Sequence, residues 1–132
     1  MKPLVIRLTR NQKLRESLVE YCRSQGITAA AVAACAGSVL HARVRLADGE
    51  TVRDFPGERE IVSLSGTISA DGPHLHISLS DKEGAVIGGH LSEGTLVNTT
   101  AEIVLLDLTA DYQLTREMDP ETGYAELIIK AK

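Results

Sequence analysis

Three of the four histidines, His74, His76 and His90, lie close together in the sequence. The first two belong to the segment 74–80 (HLHISLS), whose alternation of polar and apolar residues is typical of a β-strand. Because alternate side chains of a strand share a face, His74 and His76 lie together on its polar face. Neutral imidazole is a ligand for Zn²⁺ and similar ions, so a third imidazole on this face would complete a metal site.

The loop after this strand decides where His90 lies. A three-residue loop, 82–84, puts Gly84 at the left-handed position that such hairpins prefer. His76 then stands opposite His90, and His74 opposite Ser92. A two-residue loop would mix apolar and polar residues on each face, which burial penalises. The register also pairs Asp81 with Ala85 and, on the apolar face, Leu75 with Leu91, Ile77 with Gly89 and Leu79 with Ile87.

The three imidazoles are therefore expected within about 5–8 Å of one another. One interpretation is a site for Zn²⁺ or another divalent metal ion, with a coordination position left for water or substrate. The other is a polar sheet face whose histidines bind neighbouring groups and solvent. His41 lies in a different segment and is interpreted as a surface or interface residue.

Two features flank this cluster. Gly88 and Gly89 precede His90 and indicate either a bulge or the close approach of another backbone or ligand. Glu102 opens an apolar strand, where an unpaired carboxylate is unfavourable. We expect Glu102 to pair with a basic residue or histidine, and it is the candidate general base if the cluster is catalytic.

The elements that position these residues follow from periodicity. Residues 3–9 predict a strand, and residues 11–25 an amphipathic helix with Asn11 as N-cap and Gly26 just past its end. Residues 28–47 predict a strand or a bent strand pair around Gly37. The remaining predicted strands are 60–68, 74–80, 85–91, 99–109, 111–118 and 124–130.

One helix followed by neighbouring strands predicts a single α+β domain over residues 1–132. Its sheet is expected to be mostly antiparallel, with one or two flanking helices. The run 103–106 (IVLL) predicts a central strand buried on both faces.

Composition limits the function classes. Aromatic residues are only 3% of the chain, which argues against a surface that stacks nucleic-acid bases. The net charge of −4 also opposes DNA binding, although the first fifteen residues carry no acid. The candidate DNA contacts are therefore Arg7, Arg10, Lys13 and Arg15.

Cysteine and hydropathy patterns indicate location. Cys22 and Cys35 are too far apart for a CxxC pair and are predicted to be buried, reduced thiols. The apolar stretch before Arg7 is too short for a signal peptide, and the longest apolar run, 27–36, is half of a membrane span. These patterns predict a soluble cytoplasmic protein without a membrane partner.

Three segments carry a specific combination of motifs: GEREIVSLSGTI (57–68), DGPHLHISLSDKEGAVIGGHL (71–91) and TTAEIVLL (99–106). In this combination the chain resembles the PPC domain of plants and prokaryotes (DUF296-like), in its stand-alone prokaryotic form, from the first strand to about residue 118. The resemblance implies an α+β domain that assembles into a homotrimer, with the histidine region near the subunit interfaces. It also implies metal ligation by the three clustered histidines.

Two functions remain open. The resemblance implies a DNA-binding, transcription-associated trimer, although the Arg-Gly-Arg-Pro type segment of plant members is missing here. The alternative is a zinc-dependent small-molecule-binding protein or hydrolase-like enzyme built on the histidines. A cupin-like metal barrel ranks lower, because Leu79 and Ser80 stand where cupins carry a glutamate.

Overall fold

A computed structural model describes all residues, Met1–Lys132. The strands pair antiparallel throughout, so the mostly antiparallel α+β prediction is confirmed, with a single flanking helix. That helix is too short to cross a membrane. The elements are β1 (Lys2–Thr9), α1 (Leu14–Ser24), β2 (Ala29–Arg45), β3 (Val52–Ser69), β4 (Gly72–Ser80), β5 (Val86–Leu91), β6 (Leu96–Asp107), β7 (Tyr112–Met118) and β8 (Ala125–Ala131).

Six strands form one sheet in the order β1-β6-β2-β3-β4-β5, and β7 and β8 form a separate hairpin. Strand β5 also pairs with the end of β2, matching Val44 with Leu91 and Arg45 with His90. Strands β2, β3, β4 and β5 therefore close into a ring of pairings. This closure brings β5 against a strand that precedes it by some forty residues.

The helix packs the predicted apolar stripe, including Leu14, Leu18 and Cys22, into an aliphatic core of 20 buried residues. Gly26 adopts φ 67°, and the Ile27 N–H donates to the Cys22 carbonyl at 2.8 Å, which ends the helix as predicted. The predicted N-cap is wrong. Asn11 lies in the preceding turn with φ 72°, and its N–H donates to the Val97 carbonyl, so the tight turn after β1 takes this residue away from the helix.

Two strands differ from their predicted lengths. Residues 29–45 form one continuous bent strand, with register shifts against both neighbours. Strand β3 begins at Val52, eight residues before the predicted 60–68 strand. Its first half, 52–60, is mostly exposed and polar, so no apolar alternation marks it, and pairing with β2 alone makes it a strand.

Strand β6 is central, between β1 and β2, but the prediction of burial on both faces is wrong for a single chain. Ile103 and Leu105 are fully buried, whereas Val104 and Leu106 on the other face are only half-buried. The outward face of β6 thus has no covering layer within the chain.

Gly88 and Gly89 mark a close approach of backbones. A Cβ on Gly88 would lie 2.4 Å from the Ile77 carbonyl oxygen of β4, and a Cβ on Gly89 would lie 2.5 Å from the Arg45 carbonyl oxygen of β2. Neither glycine has a positive φ. Their role is therefore steric: only residues without a Cβ let β5 fit between both neighbours.

We expect Gly89→Ala to lower the free energy of unfolding by about 1–3 kcal/mol, because the added methyl forces β2 and β5 apart. Urea denaturation measures this loss. Hydrogen exchange should also show faster exchange of the Leu91 amide. Gly84→Ala is the control: its Cβ would meet nothing within 4 Å, so only the strain of φ 83° opposes it and Leu91 protection should persist. Equal loss of protection in both variants would contradict the steric role.

Candidate metal centre

The β4–β5 hairpin has the predicted register. His76 stands opposite His90, Ile77 opposite Gly89 and Leu79 opposite Ile87. The Asp81 N–H donates to the Ala85 carbonyl at 2.9 Å, which closes the three-residue loop. The loop is held further by the Asp81 carboxylate, which accepts the N–H groups of Glu83 and Ala85 at 2.9 and 3.0 Å.

The ladder ends at the His76–His90 pair, because β5 then leaves β4 for β2. The predicted pairs Leu75–Leu91 and His74–Ser92 therefore do not form. His74 is instead opposite Thr67 on the other neighbour of β4, strand β3.

The three imidazoles nevertheless converge. The ring centroids of His74 and His76 are 5.0 Å apart, those of His74 and His90 5.3 Å, and those of His76 and His90 6.1 Å. One nitrogen of each ring lies within 4.8 Å of the others. Zinc–nitrogen bonds of about 2.0–2.1 Å put tetrahedral ligands roughly 3.3 Å apart. The limit of 4.8 Å is wider than this spacing, and the His74 and His76 side chains that would have to move closer are exposed.

One ring nitrogen of His90 has no hydrogen-bond partner. This atom, Nδ1, is buried. A buried polar atom without a partner is unfavourable, and a bound metal ion is one partner that an imidazole nitrogen accepts. The donor set of three histidines on one sheet face thus fits zinc or a similar borderline ion.

Burial and neighbouring charges favour the neutral form of two of these rings, His74 and His90. Burial, followed by the charge of Arg45 and then by the neighbouring histidines, lowers the pKa of His90 to about 4. Burial, then Arg116 and His76, also holds the pKa of His74 below its ordinary value. The neutral imidazole is the form that binds metal, so both rings are ready to act as ligands at neutral pH.

A cavity of about 570 Å³ opens beside His74 and His90. Its other walls include Arg45 at the end of β2 and three residues of the β7–β8 hairpin, namely Arg116, Tyr124 and Glu126. None of these four residues was singled out from the sequence. No local pattern links them to the histidines, because they come from other elements of the chain.

The β7–β8 hairpin is fixed to the sheet near the cavity. Leu114 is buried, and its carbonyl accepts the Ala70 N–H at 3.0 Å. The Arg116 N–H donates to the Asp71 carboxylate at 2.8 Å. Because these bonds tie β7 to the turn before β4, the Arg116 side chain is held beside the histidines.

Glu102, the candidate general base, lies elsewhere. It is exposed on β6 opposite Arg7, accepts a hydrogen bond from the Thr100 hydroxyl at 3.4 Å, and lines no cavity that contains a histidine. Within one chain it is therefore not placed to act on a ligand of the histidine cluster. His41 is also outside the cluster, and its Nε2 lies 3.3 Å from the Asp54 carboxylate.

The four basic residues near the start follow one edge, from the end of β1 to the first turn of α1. Their contacts are Arg7 with Thr100 at 2.9 Å, Arg10 with Asn98 at 3.0 Å and Arg15 with Glu93 at 3.4 Å, while Lys13 precedes the helix. We call this set the basic edge. None of its members lines the 570 Å³ cavity, but Arg15 lines a second cavity of about 320 Å³ together with Arg45 and His90.

Residues 1–109 match the Plants and Prokaryotes Conserved (PCC) domain. The chain belongs to this family. It is the family that the sequence motifs resemble, and the cupin-like alternative is wrong. The PCC chain is 44% identical over 126 residues to the bifunctional protein GlmU of Synechococcus sp. (strain JA-3-3Ab), covering 95% of itself and 20% of that protein. It thus spans about a fifth of the length of the curated relatives it matches.

Solved structures share the PCC fold. A hypothetical protein from Salmonella matches with TM-score 0.95 and 31% identity, over 99% of this chain and 94% of that one. A metal-containing protein from Archaeoglobus fulgidus matches with TM-score 0.84 and 29% identity, over 97% and 94%. A candidate DNA-binding protein from Bacteroides thetaiotaomicron matches with TM-score 0.85, over 96% and 91%, but at 21% identity this likeness shows the fold alone.

In metal-free protein, we expect Arg45→Gln to raise the pKa of His90, because the guanidinium charge opposes protonation of the ring. Burial, the larger cause, remains, so the pKa should stay below the ordinary value for histidine. An NMR titration of the imidazole protons measures this. Arg53→Gln, on strand β3, is the control and should leave the His90 titration unchanged. A His90 that titrates like an exposed histidine in the unaltered chain would contradict the described environment.

Proposed function

We propose that this PCC domain binds one divalent transition-metal ion, zinc by preference, through His74, His76 and His90. The observation that carries the proposal is the convergence of one nitrogen from each ring within 4.8 Å. The metal-containing relative from Archaeoglobus fulgidus, which shares the fold and 29% of aligned residues, supports it. The Nδ1 of His90, which is buried without a hydrogen-bond partner, agrees with it.

Three protein ligands are typical of a metal site that keeps a position open for a further ligand. A zinc ion held in this way would act as a Lewis acid toward an oxygen atom in that position. The residues of the chain supply the rest of the site: Arg45 and Arg116 bring positive charge to the cavity, and Tyr124 partly covers it. This favours a zinc-dependent small-molecule-binding protein.

We expect tag-free protein to take up one zinc ion per chain, measured by mass spectrometry of metals after dialysis. His76→Ala should weaken zinc binding roughly a hundredfold or more, since even partners of metal ligands contribute about 10–100-fold. His41→Ala is the matched control, because His41 lies outside the cluster, and it should bind zinc normally. Zinc uptake unchanged by loss of His76 would refute the site.

We also propose that the domain forms a homotrimer through the outward face of β1, β6 and β2. This face carries Val5, which is 76% exposed, opposite Val104, and Pro3 opposite Leu106. Ala34 of β2 lies on the other side of Val104. A contiguous apolar face of this kind on a sheet is typical of a contact between proteins.

Light scattering coupled to size exclusion should give three times the chain mass. Val5→Glu should lower the mass to that of one chain, because a buried carboxylate in the contact would be unpaired. Val62→Glu is the control: Val62 is 56% exposed but lies on β3, and its substitution should leave the assembly intact. A monomeric unaltered chain would rule the trimer out.

DNA binding through the basic edge is a second candidate function. Its support is that Arg7, Arg10 and Lys13 are exposed along one edge and that the segment 7–13 contains no acid, although Glu102 lies opposite Arg7 on β6. A trimer would present three such edges. The net charge of −4 per chain opposes it, so any binding must come from this local concentration of positive charge.

An electrophoretic shift assay with duplex DNA at several salt concentrations tests this function. Four phosphate contacts predict a slope of about −3.6 for log K against log salt, and Lys13→Gln should reduce its magnitude by about 0.9. Lys132→Gln, at the opposite end of the chain, serves as the control with no expected effect. A slope near zero, or no shift at low salt, would exclude the basic edge as a DNA contact.

A further inference from the structure

Two arginines converge on the histidine cavity from different elements. Arg45 ends β2 and Arg116 lies in β7, and both line the 570 Å³ cavity with His74 and His90. Neither guanidinium takes part in an ion pair within 4.0 Å. The Nε of Arg45 is buried without an acceptor, and the side chain of Arg116 reaches only the Thr67 hydroxyl at 3.4 Å. Both therefore have unused hydrogen-bond donors.

The nearby carboxylates form no direct ion pair with either arginine. Asp71 accepts the backbone N–H of Arg116 at 2.8 Å. Asp48, near Arg45 in the loop after β2, accepts the N–H groups of Glu50 and Thr51 at 3.0 and 2.8 Å. Glu126 lines the cavity but forms no ion pair with either arginine. The cavity lining thus carries two guanidinium groups and the carboxylates of Asp71 and Glu126, and neither guanidinium lies within 4.0 Å of a carboxylate.

We infer that this cavity binds a small molecule by its carboxylate or phosphate group, which lies between the guanidinium groups of Arg45 and Arg116 beside the histidine cluster. Planar guanidinium groups match the oxygens of these two anions and form strong, charge-assisted hydrogen bonds with them. The inference rests on the proposed function for the metal ion that would lie next to this group.

The geometry of the cavity agrees with a small ligand. Its volume of about 570 Å³ lies in the range of roughly 300–1,000 Å³ that small-molecule sites occupy. Arg45 is the cross-strand partner of His90, so the anion and the third histidine occupy neighbouring positions by backbone register.

The C-terminal hairpin supplies one half of the anion site. Arg116 lies beyond residue 109, where the match to the PCC family ends. Tyr124 of the same hairpin packs its hydroxyl against Gly49, close enough that a Cβ there would clash with it. The hairpin therefore forms a wall of the cavity, and the choice of ligand depends on it as well as on the histidines.

Isothermal titration of zinc-loaded protein with inorganic phosphate and, separately, with acetate tests the inference. We expect at least one of the two anions to bind. Arg116→Gln should weaken that binding at least tenfold while changing zinc affinity less than threefold, a split that general damage to the fold would not produce. An affinity at least tenfold higher for one anion identifies the group, and similar affinities support a shared anion site.

Two further variants distinguish a specific loss of anion binding from misfolding of the protein. Arg45→Lys keeps the charge but loses the planar donor pair, and should weaken anion binding less than Arg116→Gln. Arg43→Gln is the matched control, because Arg43 is exposed on the same strand and lies 3.6 Å from Asp54, outside the cavity. It should bind both zinc and anion normally.

The outcomes separate the two proposals. Two results would overturn the anion site and leave the metal site supported. In the first, the protein takes up zinc but binds neither anion. In the second, it binds an anion and Arg116→Gln does not change that affinity. If no zinc binds, the proposed metal site fails, and the same titrations on metal-free protein decide the anion site. If metal-free protein binds an anion and Arg116→Gln weakens that binding, the anion site is supported. If metal-free protein binds neither anion, the anion site is overturned.

Discussion

The close fit of β5 between β4 and β2 is the constraint on which the candidate site depends. The backbones approach so closely that Gly88 and Gly89 have no room for a Cβ. This fit closes the ring of strands and makes His90 the partner of His76 on one side and of Arg45 on the other. Backbone register alone thus places one residue, His90, both in the histidine cluster and beside the guanidinium of Arg45.

This arrangement favours neutral imidazoles over protonated ones. Burial opposes charge on His90, and the adjacent guanidinium of Arg45 opposes it further. The cluster is suited to share nitrogen lone pairs with a cation, while the arginines remain available for an anion. A site in which histidines face a cation and arginines face an anion can hold a metal ion and an oxygen anion side by side, because the two ligands use different side chains.

The surfaces with candidate functions occupy different parts of the domain. The histidine cavity lies where β2, β4, β5 and the β7–β8 hairpin meet. The apolar face lies on β1, β6 and β2, and the basic edge follows the end of β1 and the start of α1. The apolar face and the basic edge include none of the residues that line the 570 Å³ cavity. Membership of the PCC family accounts for the fold.

The sequence alone determined the features that depend on local periodicity, namely the register of the β4–β5 hairpin and the buried face of the helix. The alternation of polar and apolar residues in β4 and the three-residue loop after it involve only neighbouring residues, and they predicted correctly that His76 lies opposite His90. Helical spacing likewise predicted that Leu14, Leu18 and Cys22 are buried. Only the tertiary structure decided what depends on closure of the sheet. Strand β5 leaves β4 after His90, so Ser92 never reaches His74, and the cavity receives Arg45 and Arg116 from elements far along the chain. No local sequence pattern predicts that these arginines lie beside the histidines, because their positions depend on how distant strands pair.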